Sequence, residues 1–177
     1  MKKNILIYGL IAGVIVSTIM LFIVNYISHC EGSVDYNTSM LLGYASMLVA
    51  FSLVFIGIRN YRDKYNGGVI RFGKAFKIGL MMTLIASTVY VAAWLVNYYF
   101  FNPDFFERYT AQEIANLKAS GATQTKIDEE TTEMTNMVKN LKNPIFHAAM
   151  TYLEILPVGL IVTLISALVL KKKPANN

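Results

Sequence analysis

The sequence predicts an all-α fold, a four-helix transmembrane bundle with an extracytoplasmic helical hairpin between helices 3 and 4, with residues 1–177 as a single membrane domain. Three observations predict it. Charged residues make up only 15% of the chain, where soluble domains carry about 25%. The apolar residues, 55% of the total, come in four long blocks rather than at strand or amphipathic-helix intervals. The charges between those blocks are sorted by sign. Spans are expected at about residues 5–27, 39–58, 76–101 and 145–170, with an outer helical loop at 102–143. A helix crossing the hydrocarbon core needs roughly 20 apolar residues, whereas barrel strands would be half as long and would alternate.

The first block has no charged side chain between Lys3 and Glu31. Its opening Met1-Lys2-Lys3-Asn4 resembles the start of a signal peptide. Its apolar core exceeds the roughly 7–15 residues of such a segment, and no small-x-small cleavage site follows. Tyr26-Ile27-Ser28-His29-Cys30 also lacks the small residue that precedes a lipidated cysteine. A retained helix is expected. Gly9 and Gly13, extended by Ser17, form a small-xxx-small pair, and Ser46 with Ala50 repeat the interval on the second block. Such pairs let helices approach closely; the partner is a helix of the same bundle or of another copy.

The second block, from about Met40 to Ile58, reaches span length with Thr38 and Ser39. A basic loop follows, holding Arg59, Arg62, Lys64, Arg71, Lys74 and Lys77 against Asp63 alone. Within it Asn66-Gly67-Gly68 reads as a turn, and Tyr61, Tyr65, Phe72 and Phe76 sit beside bases able to snorkel to phosphates. The third block closes on Trp94, Tyr98, Tyr99, Phe100 and Phe101, an aromatic cluster suited to a headgroup layer. In the long loop, Phe106, Thr110, Ile114 and Leu117 mark one helical face, and Gly121 interrupts it. Ile127, Thr131, Met134, Val138 and Leu141 mark a second, started by Thr125 with Asp128. Asn143-Pro144 supplies a cap and first-turn proline for the fourth span.

Counting charges sets the expected orientation. Eleven of the 16 bases belong to the N-terminus, the second loop and the tail Lys171-Lys172-Lys173, with one acid. The other two loops hold five bases and nine acids, and Glu154 is left inside the fourth block. Basic loops stay in the cytoplasm, so both termini are expected there, in a cell inner membrane. The net charge of +5 is then an orientation signal rather than a nucleic-acid footprint, and no nucleic-acid partner is expected. Arg59, Arg62, Lys64, Arg71, Lys74 and Lys77 are candidate anionic-lipid contacts, although a plain topology signal explains them more simply. The lipid bilayer is the expected partner, with a homo-oligomer or another membrane protein as further candidates.

Glu154 is the foremost candidate functional residue, because a carboxyl within a span is expensive and by default marks a function. His147, Thr151 and Glu154 fall at i, i+4 and i+7, one polar stripe. Pro157 removes the helical bond to Leu153 and loosens a carbonyl beside the acid. The competing reading makes Glu154 structural, neutral or bonded to Thr18, Tyr44, Ser46 or Ser87. His29-Cys30-Glu31 offers three metal ligands without a fourth, and no nucleophile elbow, phosphate loop or HExxH pattern occurs. No metal, cofactor or enzymatic activity is expected.

Arg71-Phe72-Gly73-Lys74-Ala75-Phe76-Lys77, the stretch Lys118-Ala119-Ser120-Gly121 with Asn143-Pro144, and Glu154-Ile155-Leu156-Pro157-Val158-Gly159 together carry a resemblance. The chain resembles a bacterial family of four-helix membrane proteins, the domain of unknown function 4199, from the first helix to the terminal lysines. The resemblance implies a multi-pass inner-membrane protein without an assigned activity, and directs attention to Glu154, Pro157 and Gly159 as a unit. The expected role is a non-enzymatic accessory or interaction protein. The alternative is a small oligomeric channel or proton-coupled carrier built on Glu154, and lipid sensing through the basic loop is a third reading.

Overall fold

The computed structural model describes residues 2–29 and 36–172, and for 27–29 and 36–40 the backbone alone. These residues form six α-helices: α1 (Lys2–His29), α2 (Tyr36–Tyr65), α3 (Phe72–Phe100), α4 (Phe105–Ala119), α5 (Gln124–Leu141) and α6 (Pro144–Leu170). Among the described residues there is no strand, only an isolated antiparallel bridge between Ile70 and Lys172. Four segments, Lys2–Tyr26, Leu41–Tyr65, Phe72–Phe100 and Pro144–Leu170, are long and apolar enough to cross a membrane. The shortest, at 25 residues, extends beyond a hydrocarbon core of about 30 Å at roughly 1.5 Å per residue. Their outward surfaces are apolar as well: Val14, Phe22, Leu41, Val49, Leu153 and Ile161 all stand exposed. A water-facing surface would carry charge on that side of each helix. The helix α2 continues seven residues past Ile58, the expected end of its span, and carries Arg59, Arg62 and Lys64 on its final two turns.

The chain divides into two compact units, Met1–Ala93 with Tyr152–Asn177, and Trp94–Thr151. In the first unit, small residues bring the long helices together. A Cβ on Gly9 would stand 2.9 Å from the Ile85 Cβ, and one on Gly13 would stand 2.7 Å from the Val89 Cβ and 3.1 Å from the Ala86 Cα. The α1 backbone therefore lies directly on α3, and the glycine pair finds its partner inside the chain. Ser17 stays in this seam by donating to the Gly13 carbonyl at 2.7 Å. Asn4 Nδ2 donates to Asn60 Oδ1 at 3.0 Å, joining the start of α1 to the end of α2. Phe51, Val54 and Ile58 of α2, Ile78 and Met82 of α3, and Ile155 and Ala167 of α6 fill the buried centre.

The connection between α2 and α3 turns at Asn66-Gly67-Gly68, as its composition predicts. Gly67 and Gly68 have φ of 62° and 75°, a region costly for side-chain-bearing residues. Gly68 N donates to the Arg62 carbonyl at 2.9 Å, closing the end of α2.

The second unit holds the last turns of α3, the helices α4 and α5, and the start of α6. The expected faces of α4 and α5 are turned inward: Ile127 and Leu141 are buried, and Phe106, Thr110, Ile114, Leu117, Thr131, Met134 and Val138 are half-buried. The helix α4 ends with Gly121 N donating to the Lys118 carbonyl at 3.2 Å and Ala122 N to that of Leu117 at 3.3 Å. This is the paired closure of a Schellman end. The helix α5 starts two residues earlier than its Thr125–Asp128 signature suggests, because Thr123 caps it by accepting from Lys126 N at 3.4 Å. Asn143 caps α6 as expected, its Oδ1 accepting from Ile145 N at 2.9 Å and Phe146 N at 3.3 Å, with Pro144 in the first position.

Candidate functional site

The fourth span decides what Glu154 can do. Glu154 lies ten residues into α6, near the middle of the helix, and its side chain is exposed. Around it the exposed surface of α6 is apolar, with Leu153 at 67%, Ile161 at 58%, Leu164 at 45% and Ile165 at 55%. Among the described residues Glu154 has no hydrogen bond and no ion pair; the Tyr90 phenol is close enough to interact with it electrostatically. The hydroxyls considered as partners are engaged elsewhere or apart from it. Thr18 Oγ1 donates to the Val14 carbonyl at 2.8 Å, and Ser46 Oγ to that of Gly43 at 2.6 Å. Ser87 Oγ is buried without a partner among the described residues, and Tyr44 is exposed.

Pro157 shares the exposed side with Glu154. The helix continues through it, but the proline has no N–H to serve the Leu153 carbonyl. A carboxyl and an underused carbonyl thus lie one residue apart on an exposed apolar surface. Hydrocarbon offers neither a partner, and a charge at mid-depth costs about 3 kcal/mol on insertion scales.

Gly159 belongs to the opposite side. It is buried, and a Cβ there would collide with Thr83 and stand 2.8 Å from the Phe51 ring. Beside it Thr83 Oγ1 and Thr163 Oγ1 share a hydrogen bond of 2.9 Å, and Thr83 Oγ1 also reaches the Gly159 carbonyl at 3.4 Å. The group Glu154, Pro157 and Gly159 is therefore divided by the helix. The acid and the proline face outward, and the glycine forms the α3–α6 contact. The threonine pair carries no sequence signature; two spans have to meet before hydroxyls 80 positions apart do.

His147 and Thr151 are buried in the second unit. Thr151 Oγ1 donates to the His147 carbonyl at 2.9 Å. His147 Nε2 accepts from Trp94 Nε1 at 2.9 Å. Indole N–H only donates, so His147 is held as the neutral tautomer with its proton on Nδ1. That nitrogen is buried and has no hydrogen-bond partner among the described residues. Tyr98 packs edge-on to the imidazole at 4.7 Å between ring centroids, with Tyr99 at 5.9 Å and Phe106 at 5.6 Å. Tyr99 donates to the Leu141 carbonyl at 3.2 Å. Trp94, Tyr98 and Tyr99, part of the interfacial belt read in the sequence, gather with Phe106 around the histidine, while Phe100 and Phe101 of that belt are exposed. The one tryptophan N–H and the histidine were legible as residues, but their pairing across 53 positions was not.

The six basic candidates fall into two groups. Arg59 and Arg62 are committed to Asp63, at 3.7 Å and 2.6 Å, and Arg62 also reaches the Leu170 carbonyl at 3.4 Å. Lys64, Arg71, Lys74 and Lys77 are exposed and have no carboxylate partner among the described residues. His29-Cys30-Glu31 lies outside the residues whose side chains are described. Among the described residues no cluster of three potential metal ligands occurs.

Comparison with known proteins finds no match among curated proteins and none among solved structures. The family described as "Protein of unknown function (DUF4199)" matches residues 7–172, which takes in α1 from Ile7 onward and the whole of the other five helices. The chain belongs to the DUF4199 family.

Proposed function

We propose that the protein is a non-enzymatic interaction component of a bacterial inner membrane that self-associates through the Glu154 face of α6. The observation that carries this reading is the unpartnered carboxyl at mid-helix, exposed on an apolar surface beside Pro157. A second copy related by a two-fold axis supplies what this face lacks. A protonated carboxyl is both donor and acceptor, so two of them satisfy each other when a self-complementary surface meets itself. The flanking Leu153, Ile161 and Leu164 then pack against their equivalents. The charge sorting supports cytoplasmic termini, a cytoplasmic basic loop and an α4–α5 hairpin on the outer side.

The test is association in liposomes at high lipid-to-protein ratio, read by single-molecule photobleaching steps. Wild type is expected to be dimeric. Glu154→Gln is expected to keep the dimer, since an amide also donates and accepts. Glu154→Leu is expected to weaken it on the order of ten-fold, from 1–2 kcal/mol per polar contact in lipid. A monomeric wild type, or a Glu154→Leu dimer as strong as wild type, refutes the proposal.

The carrier reading retains one supporting observation, the same mid-helix acid. The Glu154 side chain is exposed on the outer surface of α6, so its pathway would run between copies. A pH-driven ion flux in wild-type liposomes that Glu154→Gln abolishes would replace the accessory role with that one.

A further inference from the structure

The chain has one tryptophan and two histidines, and the tryptophan is bonded to one of the histidines inside the second unit. Both Trp94 and His147 are buried. The two short helices are fastened at this pair. Phe105 and Phe106, the first residues of α4, stand T-shaped to the Trp94 ring, at 5.4 and 6.1 Å between centroids. At the end of α5 the Leu141 carbonyl accepts from the Tyr99 hydroxyl, and the Tyr99 ring stands against the imidazole. The start of α4 and the end of α5 are thus held around one histidine.

The bond at the centre exists in one protonation state only. An indole N–H donates and cannot accept, so it needs a bare nitrogen at His147 Nε2. A proton added there sets two N–H groups against each other across 2.9 Å. It also puts a charge among aromatic rings, which costs free energy unless the charge is paired. The titratable groups that α3 brings to the imidazole are the phenols of Tyr98 and Tyr99, and α4 brings Phe106, which is apolar. The acids at the start of α4, Asp104 and Glu107, pair with Arg108 at 3.6 Å and with Lys142 at 3.5 Å. Among the described residues none forms an ion pair with His147. On α6 itself Thr151 donates to the His147 carbonyl and leaves the ring alone. The neutral form carries a cost of its own. With Nε2 accepting, the proton sits on Nδ1, a buried donor without an acceptor among the described residues. The closed arrangement therefore rests on ring packing and one hydrogen bond, and a single proton removes that bond.

We propose that the Trp94–His147 pair is a pH-sensitive latch: acidification of the compartment that the α4–α5 hairpin faces protonates His147, breaks the bond and releases the hairpin from the ends of α3 and α6. The latch is independent of self-association through Glu154, which belongs to the first unit.

The full chain in nanodiscs, taken from about pH 8 to about pH 4.5 across the range where histidine changes charge, tests this with two readouts. Emission of Trp94 reports the bond, since an indole that loses it and meets water emits at longer wavelength. Hydrogen exchange of the α4 and α5 amides, corrected for its intrinsic pH dependence, reports release. Wild type is expected to show a reversible red shift together with exchange faster by on the order of ten-fold in both helices, as for a lost hydrogen bond that leaves a buried charge. His147→Gln keeps an acceptor for the indole but takes up no proton, and is expected to lose both changes. His29→Gln and Glu107→Gln are expected to keep them, which separates the latch from the other histidine and from carboxylate titration. No red shift in wild type, a red shift that survives in His147→Gln, or a red shift without faster exchange overturns the proposal. If His147→Gln fails to fold, nitrogen NMR of His29→Gln, where His147 is the only histidine, takes its place. Imidazole titration that coincides with faster exchange supports the latch, and exchange that quickens while the imidazole stays neutral overturns it.

Discussion

The two sides of α6 treat their polar groups differently. On the inward side Thr163 meets Thr83 at 2.9 Å, over a glycine that leaves no room for a methyl group. On the outward side Glu154 stands among exposed leucines and isoleucines without a hydrogen bond among the described residues. In water the second arrangement would be unremarkable, because solvent would satisfy the acid. In hydrocarbon a polar group is satisfied by protein or not at all. The inward face is therefore finished within one chain, and the outward face is not. That difference distinguishes a structural polar contact from a candidate binding surface within one helix.

The comparison breaks most severely at Gly159. Gly159→Leu places side-chain atoms where the Phe51 ring and Thr83 already stand. Overpacking of this kind costs about 1–3 kcal/mol and sometimes more, so the variant is expected to unfold at a clearly lower denaturant midpoint than wild type on detergent-denaturant titration. A variant that unfolds with wild-type midpoint would show that α3 and α6 do not approach as described.

The threonine pair gives a smaller and more exact measure. In a double-mutant cycle, Thr83→Val and Thr163→Val are expected to couple by about 0.6 kcal/mol, the average for interhelical hydrogen bonds in lipid. Additive effects would mean that the hydroxyls contribute separately, each to its own backbone.

Smallest of all is the expected effect of Glu154→Leu on the stability of the isolated chain. Removing an outward carboxyl that has no hydrogen bond is expected to shift the unfolding free energy by under about 0.5 kcal/mol, as for other uncommitted surface changes. Marked destabilisation under monomeric conditions would place the acid in a contact inside the chain.

The short helices show how much a sequence pattern conveys when two environments compete for a helix. In α5, Ile127, Thr131, Met134, Val138 and Leu141 turn inward as their spacing predicts, while Asp128 and Glu129 are exposed. Apolar and polar residues segregate there because one side meets water. The spans give no such guidance. Their residues are apolar on both sides, so lipid-facing and protein-facing positions look alike, and neither the exposure of Glu154 nor the burial of Gly159 follows from hydropathy. Gly9 and Gly13 were legible as a packing pair, yet only Ile85, Ala86 and Val89 identify α3 as the helix they meet. The bridge from Ile70 to Lys172 had no signal, because any residue can make a backbone bond.

The sequence by itself determined four apolar helices of membrane-spanning length, the caps at Asn143 and Gly121, the turn at Gly67 and Gly68, and the membership in a family. Each of these rests on local chemistry: hydropathy accumulates along the chain, and caps and turns act within a few residues. Tertiary structure alone decided which side of α6 is finished, that His147 closes on Trp94, and that Lys172 bridges to Ile70. Those pairings span 53 to about a hundred positions, and they arise from close packing of helices whose apolar surfaces would fit many neighbours about equally well.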